Sequence, residues 1–262
     1  GLPTYWRDVR RERYDLVLDM QGLFKSALAG RLARAGRRIG PSFQREGARL
    51  LYDAVAGKAD RERHSSDECM DVLDYLGLPR PACPAYPVAF PPHALEVPRP
   101  AIAVVPISRW PTKNWPIAYF VRAAALLQEQ VGATVYLLGG RGDMAACGEI
   151  ERALGRGVRN LAGRLSLVET GSVLAAMDLL IANDSGPVHL AAAAGVPVVV
   201  PYGATDPVRT GPAGSPSRVL TVDLPCRPCL SRRCRRGDLA CLTGISPEQV
   251  VAAARELLTA QP

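Results

Sequence analysis

Residues 178–200 read DLLIANDSGPVHLAAAAGVPVVV. The apolar run 178–182 has the length of a buried strand, and residues 196–200 supply the next one. Between them, Asn183-Asp184-Ser185-Gly186 reads as a turn and VHLAAAAG as a helix of small residues. A helix start leaves N–H groups unpaired and carries a positive partial charge, which suits an anion such as phosphate. In this reading Asp184 is the N-cap, Ser185 and Gly186 present their amides, and Gly186 lets a ligand approach the backbone. A plain strand–turn–helix of an α/β domain accounts for the same letters, so the remainder of the chain has to decide.

Outward from this block the pattern repeats. From Ala101 on, AIAVVP, ATVYLLGG, VRNLAG, DLLIA and VPVVVPYG read as strands, followed by SRVLTVDL and the cysteine cluster. IAYFVRAAALLQEQVG, MAACGEIERALGRG, LSLVETGSVLAAM, VHLAAAAG and SPEQVVAAARELLTA read as the helices between and after them, the last capped at Ser246-Pro247. Repeated β-α units imply a parallel sheet with helices on both faces, and ligands in such sheets bind beyond the carboxyl ends of the strands. Residues 1–78 repeat the theme more briefly, with YDLVLDM and RRIGP as strands and LFKSALAGRLARAG and SSDECMDVLDYLGL as helices. Eight prolines in residues 79–100 exclude a regular helix or central strand there and mark a linker. The expected organisation is residues 1–92 as a first α/β domain and 93–262 as a second, with a cleft between them. The chain opens without Met, within what reads as a helix running into a strand, so the first domain is expected to be truncated.

An apolar content of 48% and a charged content of 22% describe an ordinary soluble globular protein. No apolar run reaches membrane-spanning length, and the polar, charged start lacks the pattern of a signal peptide. The net charge of +7, carried mostly by Arg, fits acidic partners such as nucleic acid, anionic lipid or a phosphorylated sugar, and equally fits a merely Arg-rich composition. Cys69, Cys83 and Cys147 are scattered, whereas Cys226, Cys229, Cys234 and Cys241 form a C-x2-C-x4-C-x6-C cluster. That spacing suits a structural zinc site. With Arg227, Arg232, Arg233, Arg235 and Arg236 interleaved, it also suits a small basic zinc module that binds nucleic acid, although it lacks aromatics for stacking. The thiols can equally stay free or pair as disulfides.

Three further loops sit at expected strand ends. In ISRWPTKNWP, the cations Arg109 and Lys113 and the hydroxyls Ser108 and Thr112 form a set able to clamp a diphosphate, or else a solvated basic loop. In LLGGRGD, Gly139 and Gly140 allow backbone approach and Asp143 can bind ribose hydroxyls, but a simple glycine turn reads as well. In YGATDPVRTGP, Thr205, Asp206 and Arg209 point to the same edge, with structural Asx turns as the alternative. His189 follows the anion turn on its helix, where it either helps hold a substrate or packs. There is no Walker motif, HExxH, G-x-S-x-G or EF-hand loop.

Taken together, LVLDMQGLFKSAL (16–28), SRWPTKNWP (108–116), residues 182–212 from ANDSGPVHL to DPVRTGP, and CRPCLSRRCRRGDLACLTGISPEQV (226–250) resemble glycosyltransferase family 9, the heptosyltransferases of lipopolysaccharide core assembly. The cysteine-bearing segment is similar to that of the second-heptose type. The resemblance implies a GT-B fold of two Rossmann-like domains, with the nucleotide-sugar in the C-terminal one. It implies inverting transfer of heptose from ADP-heptose to a Kdo or heptose acceptor, without a catalytic metal. The acceptor would be an anionic lipid-linked oligosaccharide, met by peripheral contact at the cytoplasmic face of the inner membrane. Carried over by position, Lys113 would touch the phosphates with Ser108 and Thr112 nearby. Asp184, Ser185 and Gly186 would form the diphosphate turn with His189 behind it, and Asp143 would be the ribose carboxylate. The resemblance places the general base on an Asp after a first strand that precedes Gly1, and Asp19 does not match that motif. Where the family carries Arg facing its acceptor, the helix after His64 reads SSDECMD. A non-catalytic nucleotide-sugar binder is the other class of reading.

Overall fold

A computed structural model describes residues 2–81, 86–93 and 97–260; Cys83 lies outside them. The chain divides into two compact units, Gly1–Ala82 and Cys83–Pro262. In the first, α1 (Leu2–Val9), β1 (Arg13–Leu18), α2 (Phe24–Leu32), β2 (Arg34–Pro41), β3 (Ala54–Ala56) and α3 (Ser65–Tyr75) surround a three-stranded parallel sheet ordered β1-β2-β3. The second strand begins earlier than the sequence suggests. Arg34 pairs with Arg13, so residues 34–36, expected to finish a helix, are pulled into the sheet. Ladder pairing along β1 outweighs the local preference for helix there.

The second unit runs β4 (Ala101–Val105), α4 (Ile117–Val131), β5 (Thr134–Leu137), α5 (Met144–Leu154), β6 (Val158–Asn160), α6 (Leu167–Ala175), β7 (Leu179–Ala182), α7 (Gly186–Ala193), β8 (Val198–Pro201), α8 (Pro207–Thr210), β9 (Ser217–Leu220), α9 (Ala240–Thr243) and α10 (Pro247–Thr259). Its six strands are all parallel in the order β6-β5-β4-β7-β8-β9. Counted within this unit, that is the doubly wound order 3-2-1-4-5-6, which reverses between β4 and β7.

Strands β4, β7 and β8 are buried along their whole length, so their side chains divide by parity between the two faces. Ile102, Val104, Leu179, Ile181 and Val199 join Phe120, Leu127, Ile150, Val250 and Leu257 beneath α4, α5 and α10. Ala103, Val105, Leu180, Val198 and Val200 join Val173, Leu174, Val188 and Ala191 beneath α6 and α7. The run of small residues in α7 is thus packing surface, and it brings the start of that helix close to the end of β7. Among the described residues, no helix is long and apolar enough to cross a membrane.

Because Leu180 is fully buried in β7, Leu180→Ala should lower unfolding free energy by about 2–5 kcal/mol. A urea titration would show this as a lower midpoint with an unchanged slope.

Candidate active site

At the reversal point, two loops leave neighbouring strand ends side by side. The first is the segment from Pro106 to Pro116, with a 3-10 turn at Pro111–Lys113; the second is Asn183–Ser185, which opens α7. Asn183 locks them together. Its side chain is fully buried: Nδ2 donates to the Pro106 carbonyl at 2.6 Å, and Oδ1 accepts from the Trp115 backbone N–H at 2.9 Å. The buried Trp115 indole in turn donates to the Ile245 carbonyl at 2.9 Å and packs edge-on against Phe120 at 4.9 Å. Asn114 finishes the loop by accepting the Ser108 N–H at 2.7 Å. The sequence reading gave neither Asn a role. A polar residue directly after an all-apolar buried strand must find partners inside the protein, and that signal was available.

Asp184 does something other than cap the helix. The cap position falls to Ser185, whose side chain makes no capping bond and donates instead to the Asn183 carbonyl at 3.0 Å. The buried Asp184 carboxylate takes the Lys113 ammonium at 2.6 Å and the Thr205 hydroxyl at 2.6 Å on Oδ2. Its backbone carbonyl accepts from Ser108 Oγ at 3.1 Å. A buried carboxylate is stabilised more by a cation and a hydroxyl than by first-turn amides alone, so the amides of α7 stay available. A Cβ built on the exposed Gly186 meets nothing within 4 Å.

The remaining expectations divide. Thr205 is buried in the site, as its bond to Asp184 requires. Thr112 is buried too, but its hydroxyl donates to the Ser231 carbonyl at 2.6 Å, so it ties the cysteine loop down instead of facing a ligand. Asp206 caps α8 by accepting the Val208 N–H at 2.9 Å, which is the Asx-turn alternative. Asp143 accepts the Gly140 N–H at 2.8 Å within its own turn, while Gly139 leaves no room for a Cβ beside it. Arg109 and His189 are exposed. Burial, with the Asp184 carboxylate next in effect, raises the Tyr202 phenol above its ordinary pKa, so it remains a neutral donor to the Thr210 carbonyl at 2.7 Å.

All four clustered cysteines line one cavity of about 290 Å³, together with Thr112 and Ala204. They are free thiols, Cys226 and Cys229 exposed and Cys241 buried. Among the described residues no three His, Cys, Asp or Glu side chains are grouped to hold a metal ion. Arg227 is itself structural, donating to the Gly203 and Val222 carbonyls at 2.8 and 2.9 Å.

In the first unit, Asp19 directly follows β1 and is buried. It accepts from the Tyr52 hydroxyl at 2.6 Å, the Ser26 hydroxyl at 2.8 Å and the amides of Gln21 and Gly22 at 2.8 and 3.1 Å. Burial alone would raise its pKa, but the four donors together outweigh it and hold the carboxyl below its ordinary range.

A doubly wound sheet with a cation, a buried carboxylate and a helix start at its reversal point defines a nucleotide-type α/β domain, here in a chain of the GT-B class. The sequence profile of glycosyltransferase family 9 (heptosyltransferase) matches residues 4–240, and the chain belongs to that family of sugar-transferring enzymes. Lipopolysaccharide heptosyltransferase 1 of Pseudomonas aeruginosa is 32% identical to it, over 94% of this chain and 74% of that protein. The solved structure of E. coli ADP-heptose LPS heptosyltransferase II matches with a TM-score of 0.76 at 26% identity, covering 98% of this chain and 81% of that one. E. coli heptosyltransferase WaaC, solved with ADP, shares the fold with a TM-score of 0.74 at 22% identity, covering 97% and 76%.

The lowered pKa of Asp19 makes a pH-dependent contribution to stability. That contribution is complete above the unfolded-state aspartate range, ~3.9, and is lost as pH falls through the lower folded value. Asp19→Asn should cost about 1–3 kcal/mol at neutral pH. The gap between wild type and variant in urea midpoint should narrow on acidification to pH 3; a gap independent of pH would contradict this.

Proposed function

We propose that this chain transfers heptose, with inversion, from ADP-heptose to the Kdo or heptose residues of the lipopolysaccharide inner core. Family membership supports the reaction class, and the ADP bound in the solved E. coli relative supports the donor. One observation carries the reading at the level of residues: Lys113 Nζ stands 2.6 Å from Asp184 Oδ2, where the loop after β4 meets the start of α7.

Lys113 and Asp184 form the catalytic pair. An ammonium has three N–H donors. One is spent on Asp184, which fixes the side chain's direction and leaves the others for the diphosphate. The acceptor hydroxyl attacks the anomeric carbon in line as the bond to the β-phosphate oxygen breaks, and its proton passes to a general base or to water. Negative charge then grows on the departing ADP, where Lys113 and the amides of Ser185 and Gly186 stabilise it. Ser108 and Thr205 hold Asp184 from either side, and Thr112 braces the loop behind Lys113. Arg109, Gly139, Gly140, Asp143, His189 and Asp206 border the donor, Asp143 toward the ribose. Asp19, already filled by four donors, is a poor general base and is assigned none of this chemistry. The acceptor is a lipid-linked, anionic oligosaccharide, so the enzyme works in peripheral contact with the cytoplasmic face of the inner membrane.

Lys113→Ala should lower turnover with ADP-heptose by ~100-fold or more, measured as ADP release in the presence of a Kdo-bearing lipid acceptor. Unchanged turnover would remove Lys113 from the mechanism.

A further inference from the structure

The cysteine loop delivers a second cation to the place where Lys113 stands. The Lys113 ammonium lies 5.0 Å from the centroid of the Trp110 ring, and the Arg232 guanidinium carbon lies 5.1 Å from the same centroid. The backbone fixes this juxtaposition. Ser231, directly before Arg232, accepts from the hydroxyl of Thr112, directly before Lys113, at 2.6 Å. A second tie, the Leu230 N–H to the Ala204 carbonyl at 2.9 Å, holds the same loop against the segment that supplies Thr205.

Two cations gathered on one ring repel each other, and the attraction of each for the indole face offsets only part of that. Lys113 shares its charge with Asp184. Among the described residues no carboxylate forms an ion pair with Arg232, whereas nearby Arg236 is paired with Asp238 at 2.9 Å. The site therefore keeps one uncompensated positive charge beside one compensated charge. A ligand carrying two adjacent phosphates complements that arrangement better than a monoanion does. A guanidinium also presents a planar fork that meets phosphate oxygens in pairs.

We infer that Arg232 is the second cationic arm of the anion site and grips the donor's diphosphate group, the Trp110 ring gathering it and Lys113 in one place. This rests on the assignment of Lys113 to the diphosphate given above. It gives the arginine-studded cysteine loop a binding role within the transferase itself.

The test is calorimetric titration of the purified protein with ADP and with adenosine as a phosphate-free probe. Arg232→Gln should weaken ADP binding by about tenfold or more, the scale of one hydrogen-bonded ionic contact, and leave adenosine binding unchanged. Arg235→Gln removes the same charge from the same loop away from Trp110, and should leave ADP binding as it was. Arg232→Lys should recover part of the loss, and the unfolding midpoint of Arg232→Gln should equal that of wild type. Equal weakening by the Arg232 and Arg235 variants would mean a general field effect and overturn the inference, as would ADP binding unaltered by Arg232→Gln. If Lys113→Ala weakens ADP binding and Arg232→Gln does not, this inference alone fails. If Lys113→Ala also leaves ADP binding intact, the diphosphate assignment fails with it.

Discussion

A single buried carboxamide organises the carboxyl end of the larger sheet. Asn183 lies where the strand order reverses, fully enclosed, with both ends of its amide satisfied by the loop that leaves the adjacent strand. A buried amide without partners costs on the order of 1–3 kcal/mol. The two loops are therefore coupled: neither can move without exposing a backbone carbonyl or N–H to an apolar interior. Their fixed spacing is what allows Lys113 from one loop to reach Asp184 on the other.

That ion pair looks expensive by itself, since both groups lose hydration. The surroundings compensate with Thr205 on the carboxylate and Ser108 on the adjoining carbonyl. The result is a cation of defined direction at a helix start whose amides are not consumed by a side-chain cap. Preorganisation of this kind is what charge stabilisation in a transfer reaction requires, because no dipole has to turn as the leaving group departs.

Much of this could be read from the sequence. The alternation of apolar runs with helical patterns located β4 to β8 of the larger sheet, most plainly β4, β7 and β8, which are buried along their whole length; β9, half-exposed at the edge, carried a weaker pattern. The polar residues that matter fell where expected, at strand ends. What the letters did not carry was pairing across the chain. Asp184 looked like a cap because it precedes a helix, and only the approach of Lys113, distant in sequence, gave its carboxylate a better partner. Thr112 looked like a ligand contact because it neighbours Lys113, yet a helical turn points it the other way, toward Ser231. The early start of β2 escaped for a similar reason: a ladder partner at Arg13 decided it.

The Trp115 indole N–H donates a hydrogen bond to the carbonyl of Ile245, just ahead of α10, which packs on α4 and on β7 to β9. In a polypeptide made from its amino end, the loop of residues 106–116 leaves the ribosome long before the segment that seats it. A nascent chain released ahead of residues 245–259 would carry both Lys113 and Asp184 while the loop that bears Trp115 remained unfastened. Synthesis through residue 259 is thus built into the seating of that loop, and the helix Pro247–Thr259 serves as its latch.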